Sequence, residues 1–188
     1  MIRKIAILAS GSGSNAENII RYFAKNKTFV FPIIISNNKN AYVHKRAKEL
    51  CINSLTLELK DESDWLVLRD ILIRQQIDYV ILAGFLLKIP LVILNLFPNK
   101  IINIHPALLP KFGGKGMYGN RVHQAVCAAG ETETGITIHY VTENYDEGDV
   151  IFQAKCAVSP TDTPEDVAKK VHALEYEWFP KIIEKIWG

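Results

Sequence analysis

Residues 4–16 have the sequence KIAILASGSGSNA, and this stretch decides the fold. The apolar run from Lys4 to Ala9 predicts a buried strand, and the amphipathic pattern from Asn15 to Lys25 predicts a helix. Between them, the glycines and serines of residues 10–14 stop the apolar run, which is too short for the hydrophobic part of a signal peptide. A buried strand that turns tightly through glycines into a helix is the opening of an α/β fold.

The same alternation continues outward from this stretch as far as Ile104. Apolar runs predict four more strands, at residues 29–35, 54–57, 79–83 and 100–104. Amphipathic patterns predict three helices between them, at residues 41–50, 64–75 and 90–96. Strands that alternate with helices predict a mostly parallel, Rossmann-like sheet with helices on both faces.

The pattern changes after residue 105. A helix is predicted at residues 120–129, and two alternating segments at 134–142 and 150–158 predict an antiparallel C-terminal extension of the sheet. Thr163-Pro164-Glu165-Asp166 predicts the start of a closing helix that runs to about Lys185. We therefore expect one domain, residues 1–188, with a nucleotide-binding-like lobe over 1–104 and a C-terminal lobe over 105–188.

Composition narrows the functional class. The chain of 188 residues is 48% hydrophobic and 22% charged, and its net charge is only +2. Nucleic-acid-binding domains are usually strongly basic, so this balance argues against such a partner. The longest apolar runs fall far short of the ~20 residues that span a bilayer. The three cysteines are widely separated, which is typical of a protein from a reducing cytoplasm.

The glycine-rich turn, residues 11–16, allows three interpretations. A G-x-G-x-x-A pattern is typical of dinucleotide folds, which also need an acidic residue after the second strand, where this chain has Asn37-Asn38-Lys39. The turn could instead hold no ligand. A phosphate monoester could also bind Gly13, Ser14 and Asn15, because a helix N-terminus attracts anions.

Asn103 and His105 close the fifth predicted strand, and the period of two places them on one face. Ligands of open α/β sheets bind at the carboxyl ends of strands. An amide donor beside an imidazole can stabilise an oxyanion and move a proton. The alternative is a strand-end asparagine next to a buried structural histidine.

Asp146 lies in an acidic loop after the first alternating segment. If it meets His105, the carboxylate should raise the pKa of the imidazole and orient its ring. A solvated loop is the alternative. The remaining histidines, His44, His123, His139 and His172, have no metal-ligand spacing, so we expect no metal.

These motifs together resemble those of the phosphoribosylglycinamide formyltransferases, which are folate-dependent enzymes of purine biosynthesis. The resemblance covers nearly the whole chain. It rests on the glycine turn, on Leu82-Ala83-Gly84-Phe85, on residues 103–110 (NIHPALLP), on residues 135–141 (GITIHYV) and on Asp146-Glu147-Gly148.

The resemblance implies roles for matching residues. It implies a catalytic trio of Asn103, His105 and Asp146. It implies that Gly13, Ser14 and Asn15 contact the phosphate of the ribonucleotide substrate. It implies a further substrate segment formed by His172, Ala173, Leu174 and Glu175. It implies that the formyl-folate site is formed by Leu86, Leu87, Lys88, Ile89, Asn103, Thr142, Glu143, Asn144, Tyr145 and Asp146.

The implied reaction transfers the formyl group of 10-formyltetrahydrofolate, acting as co-substrate, to the amine of phosphoribosylglycinamide. Asn103 would donate a hydrogen bond to the oxyanion, and His105, kept protonated by Asp146, would stabilise it and protonate the leaving nitrogen. The alternatives are a formyltetrahydrofolate deformylase, a methionyl-tRNA formyltransferase or a non-catalytic nucleotide-binding module. We expect a cytoplasmic monomer or homodimer whose partners are small molecules, with neither nucleic acid nor membrane.

Overall fold

The computed structural model describes residues 2–188, and it begins with the strand and helix predicted around the glycine turn. Strand β1 (Arg3–Leu8) is followed by helix α1 (Ser14–Tyr22). Residues 5–8 of β1 have no exposed surface, because the strand is covered on both faces. Gly13 caps α1 with a φ of 71°, a left-handed conformation that glycine adopts at little cost.

The remaining elements follow the predicted alternation. They are β2 (Phe29–Ser36), α2 (Val43–Glu49), β3 (Asn53–Thr56), α3 (Glu62–Arg74), β4 (Tyr79–Leu82), α4 (Leu91–Leu94), β5 (Ile101–His105), α5 (Asn120–Ala128), β6 (Glu133–Tyr140), β7 (Val150–Ala157) and α6 (Pro164–Trp187). The strands form one seven-stranded sheet in the order β3-β2-β1-β4-β5-β6-β7. The predicted fold class, a mostly parallel sheet with helices on both faces and an antiparallel C-terminal pair, is confirmed.

Chain contacts divide the protein into two units, one ending at Ile102 and the other beginning at Asn103. In the first unit, β1 pairs in parallel with β2 and with β4, and β2 pairs in parallel with β3. The carboxyl ends of these strands therefore lie at one edge of the sheet. The glycine turn leaves β1 at that edge.

In the second unit, β6 and β7 pair antiparallel, from Glu133 opposite Ala157 to His139 opposite Val150. Helix α6 packs against α5 and against both strands. Its predicted start is confirmed: Thr163 and Asp166 form a reciprocal capping box, and Pro164 occupies the first turn. The cap satisfies backbone N–H groups that the first turn would otherwise leave open.

Helix ends differ from the predicted ends by a few residues. The helix predicted to reach Lys25 ends at Tyr22, because the N–H of Ala24 bonds to Arg21, three residues back instead of four, and the chain then turns. The helix predicted from Pro90 to Leu96 covers only Leu91–Leu94, with Pro90 as its extended N-cap. Within residues 2–188, no helix is both long and apolar enough to cross a bilayer.

Candidate active site

The centre of the second unit begins with Asn103 on β5 and His139 on β6. Asn103 Nδ2 lies 3.1 Å from His139 Nε2. His139 Nδ1 lies 2.8 Å from the carbonyl oxygen of Tyr140, which only accepts, so this nitrogen carries the hydrogen. With the hydrogen on Nδ1, Nε2 is the acceptor for the Asn103 amide. The contact fixes which way the Asn103 amide group points.

His105, two residues further along β5, is 3% exposed. Its Nε2 lies 2.8 Å from the carbonyl oxygen of Phe112 and donates to it. Its Nδ1 lies 3.5 Å from Asp146 Oδ2. The hydrogen bond to the backbone holds the ring in one orientation, with Nδ1 towards the carboxylate.

Asp146 connects the two histidines. Its Oδ1 lies 3.6 Å from His139 Nε2, and its Oδ2 accepts the N–H of Gly114 at 2.9 Å. Asp146 has a φ of 57°, in the left-handed region that aspartate tolerates better than most residues. Asn103, His139, Asp146 and His105 thus form a continuous set of contacts, and both ends of the set belong to β5.

The loop after β5 makes room for this contact at Gly113. A Cβ on Gly113 would lie 2.5 Å from Leu109 Cδ2 and 3.3 Å from Asp146 Cβ. A side chain at this position would displace the end of Leu109 and press on Asp146, so glycine lets the loop pass close to Asp146. The neighbouring Phe112 and Gly114 supply the two backbone groups that hold His105 and Asp146.

Burial dominates the electrostatics of His105. Burial lowers the pKa of the imidazole, whereas the charge of Asp146 and the Phe112 carbonyl raise it, and the net pKa lies below the ordinary value. The expectation that Asp146 keeps His105 protonated is therefore wrong for the resting protein. The carboxylate does raise the pKa, but removal of the ring from water has the larger effect.

Asp146 itself is held ionised. Burial raises the pKa of its carboxyl, but the neighbouring His139 and His105 and the N–H of Gly114 outweigh burial and leave the pKa below its ordinary value. The resting site thus presents a carboxylate beside a neutral imidazole.

A second histidine pair lies between α5 and α6. The rings of His123 and His172 are 6.3 Å apart, and His172 Nδ1 lies 2.8 Å from Glu175 Oε2. The hydrogen bond with Glu175 raises the pKa of His172, whereas burial lowers that of His123. The charge of Glu175 also raises the pKa of His105 slightly, without reversing the net lowering. Of the segment predicted to bind substrate, His172 belongs to this pair and Glu175 bonds to it, while Ala173 is exposed and Leu174 is half-buried.

In the first unit, the glycine turn is held from α2. The N–H of Val43 donates to the carbonyl oxygen of Gly11 at 3.2 Å, and Arg46 Nε donates to that of Ser12 at 2.9 Å. A Cβ on Gly13 would overlap the side chain of Val43. Gly13 and Asn15 are buried and Ser14 is half-buried at the start of α1. The turn thus offers the N-terminus of a nine-residue helix.

The two segments predicted to contact formyl-folate differ in exposure. In residues 86–89, Leu86 is 42% exposed, while Ile89 is 2% exposed and anchors the segment. Between them, Leu87 is half-buried and Lys88 is exposed. In residues 142–146, only Asp146 contacts His105 and His139. The other four are at the surface or bonded to one another: Thr142, Glu143, Asn144 and Tyr145.

Among the four residues in contact, Asn103, His139, Asp146 and His105, His139 is the one that the sequence did not single out. Its alternation on β6 is that of any inward-facing strand residue, and nothing in its spacing linked it to Asn103. Within residues 2–188, no group of three or more His, Cys, Asp or Glu side chains is arranged to hold a metal ion.

Comparison with known sequences places the chain among formyl transferases. The model of the formyl transferase family matches residues 3–183. A phosphoribosylglycinamide formyltransferase from Bacillus subtilis is 33% identical over 192 residues, which cover 100% of this chain and 96% of the relative. A chloroplastic enzyme of the same name from Arabidopsis thaliana is 36% identical over 190 residues, which cover 98% of this chain.

The plant relatives are longer. The matched region covers 65% of the Arabidopsis thaliana protein and 61% of a chloroplastic relative from Vigna unguiculata, so this chain spans less than two thirds of their length.

Solved structures similar to this protein include one that carries the same enzyme name as the sequence relatives. A phosphoribosylglycinamide formyltransferase from Streptococcus pneumoniae has a TM-score of 0.87 and 32% identity, and the match covers 100% of both chains. Glycinamide ribonucleotide transformylase 1 from Geobacillus kaustophilus has a TM-score of 0.90 and 29% identity, again over 100% of both chains. With the family match extending from residue 3 to residue 183, this protein belongs to the formyl transferase family.

Proposed function

We propose that this protein transfers the formyl group of 10-formyltetrahydrofolate to the amine of phosphoribosylglycinamide, a step of purine biosynthesis. The observation that carries the proposal is the contact set of Asn103, His139, Asp146 and His105. It combines an oriented amide donor, an ionised carboxylate and a buried imidazole, which are the groups that acyl transfer needs. Membership of the family and the names of the relatives support the assignment of 10-formyltetrahydrofolate and phosphoribosylglycinamide as the two substrates.

Asn103 donates its amide N–H to the formyl oxygen as that oxygen gains negative charge. The bond from Nδ2 to His139 fixes the amide plane before the substrate arrives. A donor that is already oriented loses no energy to reorganisation in the transition state.

His105 moves the proton. Because its pKa is lowered by burial, the resting ring is neutral and can accept the proton that the attacking amine must lose. Negative charge on the formyl oxygen and on Asp146 then stabilises the imidazolium. The ring returns this proton to the folate nitrogen as the carbon–nitrogen bond breaks, so the protons balance without an outside donor.

Asp146 faces both histidines and balances the positive charge that His105 gains. Its two oxygens face one histidine each, and the N–H of Gly114 fixes the carboxylate plane. An ionised carboxylate at this position compensates the charge that His105 acquires during the reaction.

The binding residues are proposed from the family resemblance and the local geometry. Gly13, Ser14 and Asn15 bind the ribonucleotide phosphate at the N-terminus of α1, and residues 172–175 contribute further substrate contacts. Residues 86–89 and 142–146, with Asn103, contact formyl-folate. The family match over residues 3–183 supports treating both units as one formyltransferase domain.

The partners are small molecules in this proposal, and neither nucleic acid nor membrane takes part. We propose a monomer or homodimer in the cytoplasm, in keeping with a net charge of +2 and three free cysteines. Light scattering of the purified protein and fractionation of cells test these two statements.

One assay separates the proposed reaction from its alternatives. Purified protein is mixed with 10-formyltetrahydrofolate, and loss of the formyl group is followed with and without phosphoribosylglycinamide. We expect formyl loss that depends on the ribonucleotide and yields the formylated amine. Loss at the same rate without the acceptor would identify a deformylase, and no loss in either mixture would reject the proposed reaction.

A further inference from the structure

The hydroxyl group of Ser10 bridges two chain segments that are far apart in sequence. Ser10 Oγ donates to Asn37 Oδ1 at 2.6 Å and accepts the N–H of Leu86 at 2.9 Å. Ser10 is only 8% exposed. A buried hydroxyl has one hydrogen to donate, and here that donor and one acceptor position are both used.

The backbone of Ser10 binds the same region. Its N–H donates to the carbonyl oxygen of Gly84 at 3.0 Å, so Ser10 holds residues 84–86 through two hydrogen bonds. Gly84 has a φ of 70°, and this left-handed turn directs the chain out of β4. The strand ends of β1, β2 and β4 thus meet at one serine.

The segment held in this way is exposed on the side away from its anchors. Phe85 is 8% and Ile89 is 2% exposed, whereas Leu86 is 42% exposed. Ser10 accepts from the backbone N–H of the exposed residue Leu86. Side chains that face outward gain no packing from the core, so the backbone must hold them in place.

We infer that Ser10 is a positioning residue for the donor substrate: it fixes the backbone at Leu86 and thereby shapes the wall that residues 86–89 present to formyl-folate. This inference rests on the proposed function. Ser10 also directly precedes the glycine turn, yet its side-chain contacts point to residues 37 and 86 and not into the turn. The donor site should therefore depend on Ser10 more than the ribonucleotide site does.

Ser36 provides a matched control. It is fully buried at the end of the neighbouring strand β2, and its hydroxyl bonds only to the backbone of Asn38, at 3.2 and 3.3 Å. Ser36→Ala removes the same atom from a similar environment but leaves Leu86 untouched. A general loss of stability at this edge of the sheet would affect both variants alike.

The test measures binding of a stable formyl-folate analogue and of the ribonucleotide by calorimetry. For Ser10→Ala we expect the dissociation constant of the analogue to rise ~10-fold, the size of a lost hydrogen bond at a buried group, and that of the ribonucleotide to change less than about twofold. The KM for the donor should rise while kcat changes less. Ser10→Thr keeps the hydroxyl and should restore donor binding.

Amide exchange at Leu86, followed by NMR, is a readout that needs no substrate. Exchange should accelerate at least ~10-fold in Ser10→Ala and stay unchanged in Ser36→Ala. If Ser10→Ala does not fold, Asn37→Ala, which frees the Ser10 hydroxyl to rotate, should give a smaller change of the same kind.

Two outcomes would overturn the inference: equal loss of both ligands in Ser10→Ala, or the same donor-specific loss in Ser36→Ala. Faster exchange at Leu86 in Ser10→Ala together with an inactive wild-type protein would instead reject the proposed function while leaving the structural role of Ser10 intact.

Discussion

His105 Nδ1 lies 3.5 Å from Asp146 Oδ2, and these side chains are only 4% and 11% exposed. The carboxylate favours the protonated ring, but removal from water disfavours it more. The pair is therefore arranged to carry a proton during the reaction and to be without it at rest.

Titration of His105 should report both effects. We expect its pKa in the wild type to lie below the ordinary value of about 6.5, and Asp146→Asn to lower it further, because the charge that raised it is gone. NMR titration of the ring measures both values. His172, whose pKa is raised by Glu175, serves as the internal control and should not change. An unchanged or higher value for His105 in the variant would mean that the carboxylate does not act on it.

Asn103→Ala and His105→Ala should each lower kcat by ~10²-fold, the usual loss for an oxyanion donor or an acid–base group. Steady-state kinetics with both substrates measures this. His105 is nearly buried and bonded to Phe112, so its variant should also lose about 1–3 kcal/mol of unfolding free energy. Near wild-type turnover in folded variants would remove both residues from the mechanism.

His139→Phe should lower kcat by about tenfold, because it keeps the ring volume but removes the acceptor that orients Asn103. If His139 acts through Asn103, the double variant with Asn103→Ala should be little slower than Asn103→Ala alone. Fully additive losses in the double variant would show that the two side chains act independently.

The free energy of unfolding should fall as the pH drops below about 6.5. The folded-state pKa of His105 is lowered, so the unfolded chain takes up a proton first, and stability present above 6.5 is lost as the pH falls towards the folded-state value. His105→Gln should lose less stability than the wild type between pH 7.5 and 5.5. Urea unfolding at both pH values tests this, and an equal loss in both proteins would contradict it.

Gly13→Ala should destabilise the protein by about 1–2 kcal/mol for the left-handed backbone alone, and more for overlap with Val43. Val43→Ala in the same chain should recover only part of the loss, because Cβ and Cα of residue 43 would still lie 2.6 and 2.9 Å from the added Cβ. Urea unfolding of the single and double variants measures the recovered part. For the same reason, Gly13→Val would disturb packing between α1 and α2 as well as the proposed phosphate binding.

The sequence predicted the fold well because its signals are local. Glycines between an apolar run and an amphipathic helix, and Thr163-Pro164 before another helix, depend only on neighbouring residues. Asn103 and His105 could be paired for the same reason, since a period of two needs only the strand. The exact helix ends depended on turns, as at Phe23, that no periodicity marks.

Prediction of the rest of the site would have required knowledge of contacts between residues far apart in sequence. His139 is 36 residues from Asn103, and the alternation on β6 does not reveal which residue it meets. The direction of the pKa shift at His105 could not be predicted either. It depends on how completely the loop at Phe112 and Gly113 covers the ring, and hence on tertiary packing.

The left-handed backbone at Asp146 limits which substitutions the fold tolerates at this position. Glycine, asparagine and aspartate adopt that conformation at the lowest cost, while β-branched residues are strongly disfavoured there. Saturation mutagenesis at codon 146 would therefore show losses of folding as well as losses of chemistry. Of the three low-cost residues only aspartate carries a charge, so backbone geometry and the need for a carboxylate together favour aspartate.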